Sequence, residues 1–405
     1  MLGGVLLVVV AVTAVVLLLP AVRNSPTWHA TVTPLASIIG SGFLVIVPVL
    51  GDAVGGYAAL AMAAVVLVAY VIGAAVRYNI RYAEPLLEAD AAAPPRWVWR
   101  FDRAADTALG FAYVISVTFY LRLLAAFLLR AVGIEQDPVA ANAITTAVLF
   151  GIGLAGWIRG LRFLEWLELY AVSAKLSVIA ALLVGWSVYD ARAWGEGAID
   201  LSLPASLDPW HTARVLAGTL LVVQGFETSR YLGHAYSAAL RVRTMRLAQW
   251  IAGGIYVVFV ALATPTLHDL PPRLDETAII DLAAMVAAVL PPLLIFAATM
   301  SQFSAAVADT VGAGGLFAQT IGRRLGLREH DGYALVAVLG IALVWSVNIF
   351  ALIAHASRAF AVYYALQALV ACATAASRGE RVRALGYALL AVALFVGAAI
   401  ALPVG

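Results

Sequence analysis

Ser37–Pro48 reads SIIGSGFLVIVP and sets Gly40, Ser41 and Gly42 in the middle of an otherwise lipid-compatible apolar segment. Glycine leaves a helix its loosest point, and backbone that departs from helical geometry inside a bilayer must be satisfied by protein, water or a ligand. A GSG at mid-depth therefore reads as a helix interrupted for binding or, more blandly, as a small-residue contact that lets two transmembrane helices approach. A second interruption favours the first reading. Leu220–Arg230, LLVVQGFETSR, again places a glycine followed by polar residues where an apolar span would continue.

Composition sets the class around these two stretches. Hydrophobic residues make up 63% of the chain and charged residues 12%, against roughly 45–50% and 25% in soluble domains. With a mean hydropathy of +0.96, the chain is expected to be an all-α polytopic membrane protein, with the lipid bilayer as a partner. The single Cys372 excludes an intramolecular disulfide. The net charge of +2 gives no reason to expect nucleic acid.

Residues 1–22 carry no charged side chain before Arg23 and are long enough to span, at ~20 residues per crossing. A cleaved signal peptide is the rival reading, but it lacks a basic start. Nearly uncharged runs follow at 31–51, 55–76, 107–129, 139–158, 165–189, 212–232, 247–267, 289–309, 333–348, 350–375 and 384–403, giving about twelve spans. If the loop before Ser37 is cytoplasmic, Arg77, Arg81, Arg96, Arg100 and Arg103 fall inside, as do Arg241, Arg243, Arg246 and most other arginines. Only Arg130, Arg192 and Arg273 fall in outer loops, with Arg214 at the outer end of its span. The positive-inside rule then places both termini outside, in a bacterial or archaeal plasma membrane.

Beyond the leading helix (1–22), the spans divide into two five-span blocks, 31–189 and 212–375, with an additional helix at 384–403. Five being odd, the second block must run inverted. Interrupted helices at matching places in two inverted halves point to a transporter site at the bilayer midplane.

On these residues the chain resembles the amino acid, polyamine and organocation (APC) transporter superfamily. IGSGF in the first core span, Pro48 after it, Gly55–Gly56 opening the second, GFE at Gly225–Glu227 and SAAVADTVGAGGLFAQTIGRRLG from Ser304 carry the resemblance, over residues 33–403. It implies a LeuT-like 5+5 inverted repeat with broken first and sixth core helices. After Glu227 the sequence departs from the family pattern, with Tyr231–Met245 reading YLGHAYSAALRVRTM, and the leading helix is an addition to it.

Ile39, Gly40, Ser41 and Gly42 are the expected solute contacts on the first break, and Gln224, Gly225, Phe226 and Glu227 those on the second. A half-helix beginning near Ser41 presents unpaired amides and a positive dipole end to a carboxylate. Carbonyls freed around Gln224–Phe226 suit an ammonium group, and together they read an amino acid or amine. Tyr120 is either a lid over the site or an interface tyrosine, and Phe226 an aromatic gate. A carboxylate inside a span is costly, so Glu227 contacts a cationic solute, carries a proton, or pins the half-helices by accepting from backbone amides.

Lys175 is the only lysine among 25 Lys and Arg residues, about eleven residues or ~16 Å from the cytoplasmic end of its helix. The resemblance implies that its ammonium can take the place of a sodium ion between core spans one and eight. A lysine can also release and regain a proton, which arginine cannot. Otherwise it is a structural tether to carbonyls of span one. Thr299, Ser301 and Ser304 on span eight could line a sodium site, but hydroxyls more often bond their own helix and Lys175 would repel the cation. Arg122, His355 and Arg358 form a candidate outer gate or an anion-attracting vestibule, and Asp309 is expected to pair with a cytoplasmic arginine.

The sequence carries no nucleophile elbow, Walker loop or histidine pair at metal spacing, so an enzyme, a metal site and a cofactor are not expected. A secondary transporter of a small solute, proton-coupled or exchanging, without sodium and in a homo-oligomer or alone, is the leading expectation. A transporter of an inorganic ion or other small anion on the same fold, or a non-transporting sensor, is the alternative.

Overall fold

Three helix starts in this chain are written as a capping side chain followed by proline. Ser25 accepts from the Trp28 amide ahead of Pro26, and Asp137 accepts from the Val139 and Ala140 amides ahead of Pro138. Asp208 does the same for Trp210 and His211 ahead of Pro209. In each, a side-chain oxygen satisfies amides that the first turn leaves unpaired, and proline occupies a position whose N–H is not needed.

The computed structural model describes residues 2–40, 42–87, 95–134, 137–161, 165–197, 208–233, 235–269, 277–322, 326 and 328–401. Its helices are α1 (Leu2–Leu18), α2 (Pro26–Ile38), α3 (Gly42–Val54), α4 (Ala58–Tyr78) and α5 (Arg96–Ala131). Next come α6 (Pro138–Arg159), α7 (Glu165–Gly195), α8 (Pro209–Gly218), the single turn α9 (Thr228–Tyr231) and α10 (Ala238–Ala263). The last are α11 (Ala278–Val286), α12 (Leu290–Phe317), α13 (Glu329–Ser346), α14 (Ile349–Ser377) and α15 (Arg381–Ile400).

Every expected span holds a described helix, and the two expected to be interrupted are divided, α2 from α3 and α8 from α9. Among the described residues, eight helical runs are long and apolar enough to cross a bilayer by length and composition. The remaining spans miss that measure for local reasons. The α1 helix has 17 residues, α13 opens on Glu329 and Asp331, and the divided spans are cut by their breaks.

Two elements differ from expectation. Helix α5 begins at Arg96 rather than near residue 107, because Trp97, Trp99 and Phe101 alternate with arginines that sit over them: Arg100 over Trp97 and Arg103 over Trp99. Cation–aromatic pairs of this kind suit a headgroup layer. Helix α11, with Ile279, Ile280 and Leu282 buried, is an apolar segment too short to register as a span.

The long α5 is central, packed against α6, α12, α13 and α14, while α10 packs on α2 and α4. The leading helix α1 lies on α7, where Leu6 is fully buried near Gly185. The loop ends rich in arginine define one end of the bundle, called the basic end below.

Candidate functional site: two helix breaks in contact

The first break begins at Ile39, whose ψ of 61° takes the chain out of helical geometry, and the helix resumes at Gly42. Ser41, expected to touch the solute, lies outside the described residues. In the second, α8 ends at Gly218, a 3-10 turn covers Leu220–Val223, and Gly225 takes a φ of +114° before α9. That φ is open to glycine and strained for any side chain.

The two breaks pack directly on each other. A Cβ on Gly42 would come within 2.5 Å of Val222 Cα, and one on Gly225 within 2.5 Å of Ser37 Cβ. In this conformation the backbones of the two breaks are in contact where the solute is expected to lie. A bulky residue at Gly42 would also part the breaks rather than leave the fold intact.

Each freed backbone group has a different answer. Lys175 Nζ, from α7, donates to the Ala36 carbonyl at 2.9 Å and to the Ile39 carbonyl. The Tyr256 hydroxyl of α10 lies 3.0 Å from the Ile38 carbonyl and 2.8 Å from that of Val222, so it can donate to either break. Sequence reading missed Tyr256, although a tyrosine among Ile255, Val257 and Val258 in a span was the available signal.

At the second break the Gly225 amide donates to Glu227 Oε2 at 2.9 Å, and the Tyr364 hydroxyl of α14 donates to the same oxygen at 2.5 Å. Phe226 is buried with its ring stacked on Tyr364, centroids 5.0 Å apart. Gln224 Nε2 donates to the Tyr120 hydroxyl at 3.3 Å, which brings Tyr120 of α5 to the break. A Cβ on Gly40 would lie 4.0 Å from that same hydroxyl. Glu227 Oε1 and Gln224 Oε1 are buried with no hydrogen-bond partner among the described residues. Tyr364, too, was missed from the sequence.

Two small cavities flank Lys175. One is lined by Gly40, Phe43, Lys175 and Ser301 with apolar residues of α7 and α12, the other by Ser37, Glu168, Lys175, Ser301 and Ser304. Ser301 Oγ is buried without a hydrogen-bond partner among the described residues, whereas the Thr299 hydroxyl donates to its own helix at the Ile295 carbonyl, 2.8 Å away. Lys175, Ser301 and Ser304 are therefore brought together.

The candidate outer-gate residues lie on α5 and α14. Arg122 donates through Nε to Asn142 of α6 at 3.0 Å, Arg358 donates to the Ala401 carbonyl at 2.5 Å, and His355 is exposed. Arg214 donates to the neighbouring Ile400 carbonyl at 3.1 Å. Arg214 and Arg358 thus answer carbonyls left open at the C-terminal end of α15, where a cation also suits the helix dipole. Asp309 is corrected as well. It pairs with no arginine among the described residues and accepts from Ser116 Oγ of α5 at 2.5 Å.

At the basic end, charged side chains hold α9 in place. Arg230 pairs with Asp102 of α5, and Tyr231 donates to Asp106 at 3.1 Å. Arg241 of α10 grips both oxygens of Glu84, at 2.6 and 3.1 Å, while reaching the Arg230 carbonyl at 2.8 Å. Such a two-pronged pair fixes orientation as well as charge.

Two divided membrane helices touching at their breaks, with charged or polar side chains answering the opened backbone, define a membrane transporter of broken-helix architecture. Residues 20–401 match the family described as APC superfamily transporter, and the chain belongs to it. A protein of Aquifex aeolicus (strain VF5), described as an uncharacterized protein, is 45% identical over 375 residues, covering 92% of this chain and 90% of its own. Among solved structures, a Na+-coupled sialic acid symporter in a substrate-bound outward-open state matches with a TM-score of 0.53 at 14% identity, covering 100% of this chain and 99% of that one. Mhp1 in an inward-facing conformation matches with a TM-score of 0.55 at 14% identity, covering 92% and 88%. At that identity the likeness is one of fold. The fold is the LeuT-like 5+5 inverted repeat with broken first and sixth core helices.

Proposed function

We propose that this protein is a secondary active transporter that moves an amino acid or amine by alternating access, coupled to protons or to exchange and independent of sodium. The observation that carries the reading is the Lys175 ammonium seated on the Ala36 and Ile39 carbonyls at the first break. A fixed positive charge there repels a sodium ion and supplies the neutralisation such an ion would bring to those carbonyls. Loss of the lysine's proton weakens the tie to both carbonyls and frees α2 to swing from α7, which links protonation to opening at the basic end. The arginine-rich loops make that end cytoplasmic and put both termini outside. Residues 31–189 and 212–375 are the two repeats.

Solute binding separates the breaks. Glu227 Oε1 and Gln224 Oε1, both without partners, then face the solute's ammonium, and the start of α3 faces its carboxylate. The Glu227 Oε2 bonds to Gly225 and Tyr364 favour a pinning role for that oxygen. The Na+-coupled neighbour makes sodium the reading to exclude.

The test is uptake by proteoliposomes, screened across radiolabelled amino acids and amines with and without a pH gradient and with and without sodium. Uptake driven by the pH gradient or by counter-solute in sodium-free buffer, with an altered pH profile in Lys175→Ala, is the expected result. A sodium requirement in the wild type, or an alanine variant with the same rate and pH profile, would overturn it.

A further inference from the structure

Two carboxylates lie buried in the membrane interior with neutral partners. Glu227 accepts from the Gly225 amide and the Tyr364 hydroxyl, and Asp309 from the Ser116 hydroxyl. The cations nearby are committed elsewhere, Lys175 to two carbonyls and Arg230 to Asp102. A lone carboxylate inside a span is expensive unless it is neutralised or serves a function.

Among the described residues the groups around Asp309 are acidic or phenolic, apart from Lys175, which shares a cavity with the neighbouring Ala308, and His330 on α13. From α5 come Tyr113 and Tyr120, from the second break Glu227, and from α7 Glu168. Helix α13, packed on the same α12, brings Glu329, which accepts from Tyr333, and Asp331, which accepts from the Arg328 amide and the Trp157 indole. Helix α2 brings only His29, near its start.

Ser116 is what distinguishes Asp309 from a merely tolerated charge. Its Oγ has two acceptors in reach, Asp309 Oδ2 at 2.5 Å and the Tyr113 carbonyl oxygen at 3.2 Å, and it has one hydrogen to give. With Asp309 ionised, Ser116 donates to the carboxylate. With Asp309 protonated, the acid donates to Ser116 Oγ and the serine hydrogen turns to the Tyr113 carbonyl. In both states the Asp309–Ser116 hydrogen bond persists, and gain or loss of the proton requires of Ser116 only a hydroxyl rotation.

A small cavity lies beside the residues that precede Asp309 on α12. Ala305 and Ala308, the residue before Asp309, line the cavity that also holds Glu168, Lys175 and Ser304.

We infer that Asp309 is a proton-carrying site separate from Lys175, with Ser116 as its reversible donor and acceptor. One proton enters from water by way of the Glu168 cavity, forms the O–H bond of the Asp309 carboxyl, and leaves the same way or toward the breaks through Tyr120.

The test needs no solute, so it stands whether or not the uptake screen finds one. Infrared difference spectra are recorded across a pH series on the full-length protein in lipid, with and without 13C-labelled aspartate. The wild type is expected to show a carboxylic acid carbonyl band that shifts with the aspartate label and disappears as pH rises. Asp309→Asn, which keeps an oxygen for Ser116, should abolish that band. Ser116→Ala should displace it, and Lys175→Met should leave it present. If Asp309→Asn does not fold, displacement of the band in Ser116→Ala decides alone. The inference is overturned by the absence of an aspartate-labelled band at every pH, by a band that never titrates, by one that survives Asp309→Asn, or by one that Ser116→Ala leaves in place.

Discussion

The two helix breaks solve the same problem with opposite chemistry. At the first, carbonyls of Ala36, Ile38 and Ile39 are answered by donors reaching in from other helices, Lys175 and Tyr256. At the second, the Gly225 amide is answered by a carboxylate two residues along the same chain, Glu227, with Tyr364 bracing it. The first break is thus a joint between helices whose strength depends on a titratable partner. The second is closed chiefly by a carboxylate of its own turn. Under the alternating access proposed above, the first is the place to control motion and the second the place to preserve shape.

Removing the joint should have the largest effect. Lys175→Met leaves two buried carbonyls without their donor, at a cost of about 2–4 kcal/mol, read as a fall in thermal stability in detergent with proteolysis appearing within α2. A variant as stable as wild type would erase the contrast between the breaks, since Lys175 would then contribute no net stability.

The second break sharpens the comparison through a pair of variants. Glu227→Ala orphans the Gly225 amide and the Tyr364 hydroxyl and should destabilise by about 1–3 kcal/mol. Glu227→Gln keeps an oxygen for both donors and should lose less than ~1 kcal/mol. Equal losses in the two variants would mean that the charge of Glu227, rather than its hydrogen bonding, matters there.

Tyr256→Phe probes what the breaks share. Deleting one hydroxyl that serves both the Ile38 and Val222 carbonyls should cost about 1 kcal/mol. Combined with Lys175→Met, the loss should depart from additivity, because both residues hold the end of α2. Strict additivity in the double-mutant cycle would show the two donors act independently.

The smallest effect belongs to an exposed counterpart between α14 and α15. Glu380, which accepts from Arg383 at 2.7 Å and Arg378 at 2.9 Å, is held below the usual carboxylate range by those bonds, Arg383 first. A depressed folded-state value favours the native state above the ordinary glutamate range, and the contribution fades as pH falls through the folded value. Glu380→Gln should therefore change melting temperature only slightly near neutrality, and the gap to wild type should close toward acid. A gap that widened in acid would reverse the sign of that linkage.

The sequence by itself determined the membrane class, the place of each span and both breaks, because span length, uncharged runs and Gly–polar interruptions are local signals. It also singled out Lys175, since one lysine among 25 basic residues stands out without a structure. What only the tertiary structure decided is who meets whom. Tyr256 and Tyr364 look like any span tyrosines until α10 and α14 bring their hydroxyls to backbone opened on other helices. Arg122 and Arg358 stood out as charges inside spans, and only the packing shows Asn142 of α6 accepting from one and the Ala401 carbonyl from the other. Asp309 suggested an arginine at the basic end, but the packing of α12 on α5 turns it to Ser116. Local pattern reports burial and geometry along one helix, whereas a hydrogen-bond partner depends on the rotation and depth of two, and those are set by packing across the whole bundle.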